Sequence, residues 1–149
     1  MAKVICSLPT LGISAFCKVD KAGVVTTVAG TGRRGYSGDE GKAVEASLSN
    51  PRSLTFDAAG NLYISDQYNH CLRMVNKSGV ITRIAGNRQN GCSGDGGHAA
   101  KARLSMPLQI AFAGADNLYI CDSLNSRVRK VDRFGIIATV VAGKGRFAN

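Results

Sequence analysis

Hydrophobic and polar residues alternate in short runs along most of this chain, and one such run occurs twice. Asn61 to Asp66 reads Asn-Leu-Tyr-Ile-Ser-Asp, and Asn117 to Asp122 reads Asn-Leu-Tyr-Ile-Cys-Asp. Alternation with a period of two between turn residues predicts half-buried β-strands. The shift that places Asn61 on Asn117 also relates the connecting segments, because 10 of the 17 positions from Gly35 to Pro51 are identical to their shifted partners. The chain is therefore built from repeats, and residues related by this shift are called equivalent below.

Two groups of four short apolar runs are separated by turns that contain Gly, Asn or Asp, and this predicts two four-stranded antiparallel meanders. The predicted strands of these meanders are Ser53–Asp57, Leu62–Asp66, Cys71–Asn76 and Val80–Ala85, then Gln109–Ala113, Leu118–Asp122, Arg127–Asp132 and Ile136–Ala142. An eroded earlier copy is expected at Val4–Leu8, Ile13–Asp20 and Val24–Ala29. One extra residue near Val140 predicts a β-bulge in the last strand.

Two long, glycine-rich segments join the repeats: connection one, Thr31 to Pro51, and connection two, Asn87 to Pro107. Asp39 and Asp95 precede alanine-containing stretches and are expected to cap one or two helical turns. These loops lack the dense Asp-x-Asp-x-Asp spacing of a calcium site, so capping is preferred to calcium binding.

Composition adds a strongly basic balance, with a formal charge of +9 over 149 residues, which favours acidic partners, including nucleic acid. Because the charges are dispersed, a solvated basic surface is the preferred explanation. The apolar run near the N-terminus is interrupted by Pro9 and Gly12 and is too short to span a bilayer, so neither a signal peptide nor a membrane span is expected.

The cysteines form no Cys-x-x-Cys pair, which favours free thiols in a reducing, intracellular compartment. They are Cys6, Cys17, Cys71, Cys92 and Cys121.

The combined motif resembles the NHL repeat. It reads Pro51-x-x-Leu-x-Phe-Asp, Gly60-Asn-Leu-Tyr-Ile-x-Asp66, Asn69-x-x-Leu-Arg73 and Gly79-x-Ile81, and much of it recurs from Asn117 to Gly135. The resemblance implies an all-β fold of NHL-like β-propeller blades: about three four-stranded antiparallel meanders, forming a partial propeller. The expected organisation is one domain of residues 1–149, with an eroded blade one at 1–30, blade two at 51–86 and blade three at 107–143. Ser53 and Gln109 replace a glycine of the family pattern, and Ala113 replaces an aspartate, so relaxed packing is expected at some blades.

Asp66 with Arg73, and Asp122 with Arg127 or Arg129, are the most conspicuous charged pairs. Because they recur at the same place in each repeat, we interpret them as structural, locking the turn between the second and third strands by charge-assisted hydrogen bonds.

No catalytic or metal site is expected. A propeller enzyme of the lyase or lactonase kind would be expected to gather several metal ligands, yet the two histidines, His70 and His98, do not recur in the aligned copies. No nucleophile motif is visible. The sequence therefore predicts a protein that is not an enzyme and that has no cofactor.

Basic and polar side chains of the two connections are the candidate binding residues, because equivalent connections return to the same propeller face. They are Arg33, Arg34, Tyr36 and Lys42 in connection one, and Arg88, Asn90, His98 and Lys101 in connection two. A second basic set, on the opposite rim, is Lys21, Lys77 and Arg133.

Three blades leave two faces uncovered, so either a protein partner or a second copy that completes the propeller is expected. The predicted function is a non-catalytic interaction or assembly module that binds protein through the inter-blade loops. An RNA-binding NHL module is the alternative, which the scarcity of loop aromatics disfavours.

Overall fold

Every sheet in the computed structural model is antiparallel, and the model describes residues 3–5, 14–114 and 116–143. Blade one holds the first three strands, blade two the next four and blade three the last four, each in chain order across its sheet. The strands are β1 (Lys3–Ile5), β2 (Ser14–Val19), β3 (Val25–Gly32), β4 (Pro51–Phe56), β5 (Leu62–Asp66), β6 (Cys71–Val75), β7 (Ile81–Ala85), β8 (Pro107–Ala113), β9 (Asn117–Asp122), β10 (Arg127–Val131) and β11 (Ile137–Ala142).

The predicted all-β architecture is confirmed. For the two complete meanders, the predicted strand ends differ from the observed ones by no more than two residues. In the eroded first copy, β1 ends at Ile5, and the rest of the predicted strand Val4–Leu8 lies outside the described residues. Among the described residues, no helix has the length and apolar character needed to cross a membrane.

Neighbouring blades stack face to face through apolar side chains and a few buried hydroxyls. Ser65 Oγ donates to the carbonyl of Leu108 at 2.9 Å, and the amide of Ile110 donates to Ser53 Oγ at 3.3 Å, so β8 lies against β4 and β5. Ser53 is thus buried in a direct contact, and the relaxed packing expected at this departure from the family pattern is not observed there. The core between blades two and three includes Leu72, Ala85, Ile110, Leu118, Ile120, Val131 and Ile137.

Connection one pairs with the outer strand of blade two. The amide of Glu40 donates to the carbonyl of Ile81 at 2.8 Å, and the amide of Ile81 donates to the carbonyl of Gly41 at 2.9 Å. The amide of Ala43 reaches the carbonyl of Gly79 at 2.8 Å. The outer strand β7 is therefore not a free sheet edge along this stretch, which removes a site for unwanted strand pairing.

Connection two repeats this arrangement on blade three. The equivalent bonds run from Gly96 to Ile137 at 2.8 Å, from Ile137 to Gly97 at 3.0 Å and from Ala99 to Gly135 at 2.8 Å. Each connection also bonds the preceding blade: the amide of Thr31, in β3, donates to the carbonyl of Ala46 at 2.9 Å, and the amide of Gly86, directly after β7, donates to the carbonyl of Ala99 at 2.9 Å. The connections are thus wedges that join adjacent blades at their outer edges.

The expected helical segment is present only as a short 3₁₀ turn in each connection, and the expected aspartate caps are wrong. Each connection contains only a three-residue 3₁₀ turn, Ala43–Glu45 or Ala99–Lys101, and Asp39 and Asp95 cap neither of them. The backbone amides and carbonyls that a helix would use internally are instead bonded to the flanking blades. Tertiary hydrogen bonds have overridden the local preference of these alanine-containing stretches.

Glycine makes this folded-back path possible. Gly38 has φ +87°, and a Cβ atom there would lie 2.8 Å from Ala46 Cα. Gly94 has φ +94°, and a Cβ atom there would lie 2.7 Å from Ala102 Cα. Any side chain at either position would meet both backbone strain and a clash with the returning arm of the connection.

The β-bulge expected near Val140 is confirmed, but the extra residue does not cause it. The register between β10 and β11 shifts between Val128 and Arg129, which leaves Val140 unpaired. The same shift occurs between Leu72 and Arg73 in blade two, which lacks the extra residue. The bulge is therefore a shared feature of the repeat.

Ile120 in the second strand of blade three has no exposed surface, and it belongs to the core between blades two and three. Ile120→Ala is expected to lower the free energy of unfolding by about 2–5 kcal/mol, because it leaves a cavity in a packed core. Urea unfolding measures this loss. Val44→Ala, at a side chain that is 44% exposed, serves as the control and should stay within about 0.5 kcal/mol. An equally small effect at Ile120 would contradict the described packing.

Candidate interaction site

One fully buried arginine in each complete blade holds the long connection against the sheet. In blade two, Arg73 projects from β6, and its Nη2 donates to Asp39 Oδ1 at 2.8 Å and to the carbonyl of Ser37 at 2.9 Å. Its Nη1 donates to the carbonyl of Ser47 at 3.1 Å and lies 3.8 Å from Asp66 Oδ2. We call this group an arginine clamp, because one guanidinium joins both arms of the connection to the second strand.

The second arginine clamp is built from the equivalent residues of the next repeat. Arg129 Nη2 donates to Asp95 Oδ1 at 2.7 Å and to the carbonyl of Ser93 at 3.1 Å. Its Nη1 donates to the carbonyl of Arg103 and to Asp122 Oδ2, both at 3.4 Å. Charge-assisted bonds of this kind compensate the guanidinium for its loss of water.

The aspartate that ends the second strand also bonds the connection. Asp66 Oδ1 accepts from the amide of Ser49 at 2.7 Å, and its Oδ2 accepts from Asn69 Nδ2 at 2.8 Å. The same Asn69 amide group donates to the carbonyl of Gly35 at 2.8 Å. Burial raises the pKa of Asp66 to about 6, although these hydrogen bonds and Arg73 act in the opposite direction. Asp122 accepts the equivalent bonds from Ser105 and Asn125 at 2.6 and 2.8 Å.

The structure therefore widens the role expected for the repeated charged pairs. Asp66 and Arg73 do approach each other, but the arginine's shorter bonds go to connection one instead of the turn. Of the two arginines considered for Asp122, the ion pair is made by Arg129, while Arg127 lies opposite Asp122 in the sheet register without contributing to this clamp. Asp39 and Asp95, expected as helix caps, are the missing partners. Asp39 and Asp95 recur at the same spacing as the two arginines, and this recurrence could have identified them as partners from the sequence.

Tyr36 joins the two connections. Its ring lies 4.6 Å from Arg73 Cζ and 3.8 Å from Arg88 Cζ, so two guanidinium groups cover it. Its hydroxyl donates to Asp39, and burial together with this bond raises the pKa of Tyr36. In the next repeat Cys92 takes its place, and Arg129 Nη1 lies 4.0 Å from the Cys92 sulfur.

The eight candidate binding residues do not share one face, which corrects the expectation from sequence. Arg34 and Asn90 pair with Leu48 and Leu104, just before each new blade begins. Arg33 and Arg88 lie in the same arms of the connections and are exposed. Tyr36 is half-buried beneath Arg88 and belongs to this group, which we call the entry group: Arg33, Arg34, Tyr36, Arg88 and Asn90.

The remaining candidates lie beside the third turns of the blades, where the second basic set was expected. Lys42 pairs with Val80, and His98 pairs with Ile136, through isolated β-bridges. Lys101 follows His98 in the 3₁₀ turn and is exposed. Because alternate turns of an antiparallel meander lie at opposite ends of the strands, these residues are on the other side of the blade from the entry group. Lys42 also forms an exposed ion pair with Glu45 at 3.3 Å.

His70 has a structural bond that sequence reasoning missed. It ends the 3₁₀ turn Gln67–Asn69 in the left-handed conformation, and its Nδ1 accepts from the amide of Met106 at 3.1 Å. Burial lowers the pKa of His70, which keeps this nitrogen available as an acceptor.

Four cysteines are free thiols, namely Cys17, Cys71, Cys92 and Cys121, and Cys6 lies outside the described residues.

Comparison with known proteins agrees with this geometry. The model of the teneurin NHL domain matches residues 20–93 and 87–149, which together take in both complete blades and connections. The chain belongs to the teneurin NHL-domain family. Teneurin-1 of Gallus gallus is 35% identical over 118 residues, which is 70% of this chain and 4% of that protein. The chain thus spans a small part of such relatives.

Solved structures with the same fold are also several-fold longer than this chain. A structural genomics protein of unknown function from Bacteroides thetaiotaomicron superposes with a TM-score of 0.69 and 24% identity, over 86% of this chain and 30% of that one. Virginiamycin B lyase from Staphylococcus aureus superposes with a TM-score of 0.54 and 12% identity, over 85% of this chain and 34% of the lyase. At these identities the likeness shows the propeller fold alone.

The two blade-three arginines provide a matched test of the clamp. Arg129→Met should lower the free energy of unfolding by about 3–5 kcal/mol, because it leaves Asp122 buried without its ion-pair partner. Arg127→Met removes the same charge from the same strand, outside the clamp, and should cost less than about 1 kcal/mol. Urea unfolding compares the two. Equal losses, or a larger loss at Arg127, would contradict the assignment of Arg129.

Proposed function

We propose that this chain is a non-catalytic interaction and assembly module of NHL blades, and that a second copy is its partner. The observation that carries the proposal is that, among the described residues, nothing covers the front face of blade one or the back face of blade three. Inside the chain, each such face is covered by the next blade. Val25 at the front is 63% exposed, whereas Ile81 and Ile137, at the equivalent positions of blades two and three, are fully buried.

The back face of blade three has the residues of a blade interface. In blade two, Tyr63, Leu72 and Ile84 pack against blade three. Their equivalents in blade three are Tyr119, Val128 and Val140, and they lie on its open face. A shallow apolar depression of about 180 Å³ on this face is lined by residues that include Tyr119, Cys121 and Val128. Apolar faces of this kind are typical of protein contacts.

A second copy fits these faces because the repeat makes them complementary in kind. The front face of blade one, in one copy, corresponds to the faces that pack against a preceding blade. The back face of blade three, in the other copy, corresponds to the faces that pack against a following blade. Two such contacts related by a two-fold axis would close a ring within the four to eight blades of known propellers. Another protein with NHL blades could occupy the same faces, and the following measurement separates the two cases.

The entry group supports protein binding over RNA binding. RNA modules that bind single strands stack bases on exposed aromatic rings. Here two guanidinium groups lie over the Tyr36 ring, and Arg34 lies 5.4 Å from the ring of Tyr68. Retention on immobilised RNA that falls steeply with salt, without retention of acidic proteins, would instead favour the RNA-binding alternative.

Light-scattering mass after size exclusion tests the assembly. The wild-type chain should have twice the mass of 15.6 kDa, and Val128→Asp should abolish the dimer because it places a charge in an apolar contact. Val44→Asp, exposed and away from both end faces, is the matched control and should remain dimeric. A stable, soluble wild-type monomer would contradict the second-copy proposal.

A further inference from the structure

A cleft between blades two and three has the lining of a small-molecule site that neither the family match nor the proposed assembly explains. Its volume is about 470 Å³, within the roughly 300–1,000 Å³ of typical ligand pockets. Its walls are apolar and aromatic: Tyr63, Ile84, Phe112, Leu118 and Val131. The rings of Tyr63 and Phe112 meet edge to face, with centroids 4.9 Å apart. The cleft therefore offers a surface for the apolar body of a ligand.

Three carboxylates line the same cleft, namely Asp57, Asp116 and Asp132. Among the described residues, none of the three forms a salt bridge. Arg133, which also lines the cleft, stacks on Phe134 with its Cζ 4.8 Å from the ring centroid. The cleft is thus acidic although the chain carries a formal charge of +9.

Two of these carboxylates keep oxygen atoms available for a ligand. Asp132 Oδ1 accepts from the amides of Phe134 and Ile136 at 2.9 and 3.0 Å, whereas its Oδ2 takes no hydrogen bond from the described residues. Asp116 likewise receives no hydrogen bond from them. Asp57 is already bonded by Asn61 and by the Tyr63 hydroxyl, at 2.8 and 3.3 Å, and it fixes the orientation of that ring.

The repeat shows that this acidity is not required by the fold. At the equivalent positions of the preceding repeat, Gly60 replaces Asp116 and Asn76 replaces Asp132. Asn76 makes the same turn, because its Oδ1 accepts from the amides of Ser78 and Val80, both at 3.0 Å. Gly60 and Asp116 both have positive φ, at +86° and +56°. The turns therefore form without these charges, and Asp116 and Asp132 are specific to the later repeat.

From these observations we propose that the cleft between blades two and three binds a small organic cation with an apolar body. The amine or guanidinium group lies between Asp116 and Asp132, where it meets two uncompensated carboxylates. The apolar part lies against Phe112, Leu118 and Val131. The faces of Tyr63 and Phe112 add attraction for a positive charge.

Phenethylamine is the probe, and phenethyl alcohol is its uncharged match of nearly equal size. Titration calorimetry on the full chain should detect millimolar or tighter binding of the amine, and about tenfold weaker binding of the alcohol. Equal affinities for the two molecules, or no binding of the amine in the millimolar range, would overturn the proposal.

The protein itself supplies the matched variants. Asp132→Asn and Asp116→Gly install the residues of the preceding repeat, and together they should weaken amine binding about tenfold while leaving alcohol binding unchanged. Asp20→Asn is the control, because Asp20 accepts the same two turn bonds, from Ala22 and Val24, in blade one. Unchanged amine affinity in the double variant, or an equal loss in the Asp20 variant, would refute the assignment of the cleft.

Discussion

The burial of one arginine guanidinium in each complete blade is the constraint on which the rest of the structure depends. A guanidinium has five donors and keeps its charge, so it can be buried only among several acceptors. Each clamp takes two backbone carbonyls and one aspartate from a long connection, and one aspartate from the second strand. The Nε atoms of Arg73 and Arg129 are still without a partner in the described structure. Because the connection supplies most of the acceptors of the guanidinium, it must follow the sheet closely. This requirement explains the glycines and the Ser-Gly-Asp sequence of the connection.

This constraint determines which surfaces of the arc are closed and which are open. The connections pair with the first residues of β7 and β11, so this stretch of each outer edge is covered by the chain's own backbone. They also contribute buried alanines and leucines, such as Ala46, Leu48 and Ala102, to the cores between blades. Among the described residues, the end faces have no such cover. This difference supports the proposed association through blade faces.

Much of the fold could be predicted from the sequence, because alternation and the internal repeat are local signals that packing reinforces. The conformation of the connections could not, since Ala43 and Ala99 bond to turn residues, Gly79 and Gly135, that lie far away in the chain. Spacing alone also could not choose between Arg127 and Arg129, because only the fold shows which of them reaches connection two. The acidic cleft combines three separate turns, and the sequence alone does not place Asp57, Asp116 and Asp132 together.

Hydrogen exchange of two amides tests most directly whether the connections are integral parts of the blades. The amides of Ile81 and Ile137 have their acceptors in the connections, at the carbonyls of Gly41 and Gly97. If the arginine clamps hold the connections in place, both amides should exchange as slowly as those of the central strands β5 and β9. Rapid exchange at both positions, with protected central strands, would show that the connections detach from the blades and would contradict this account.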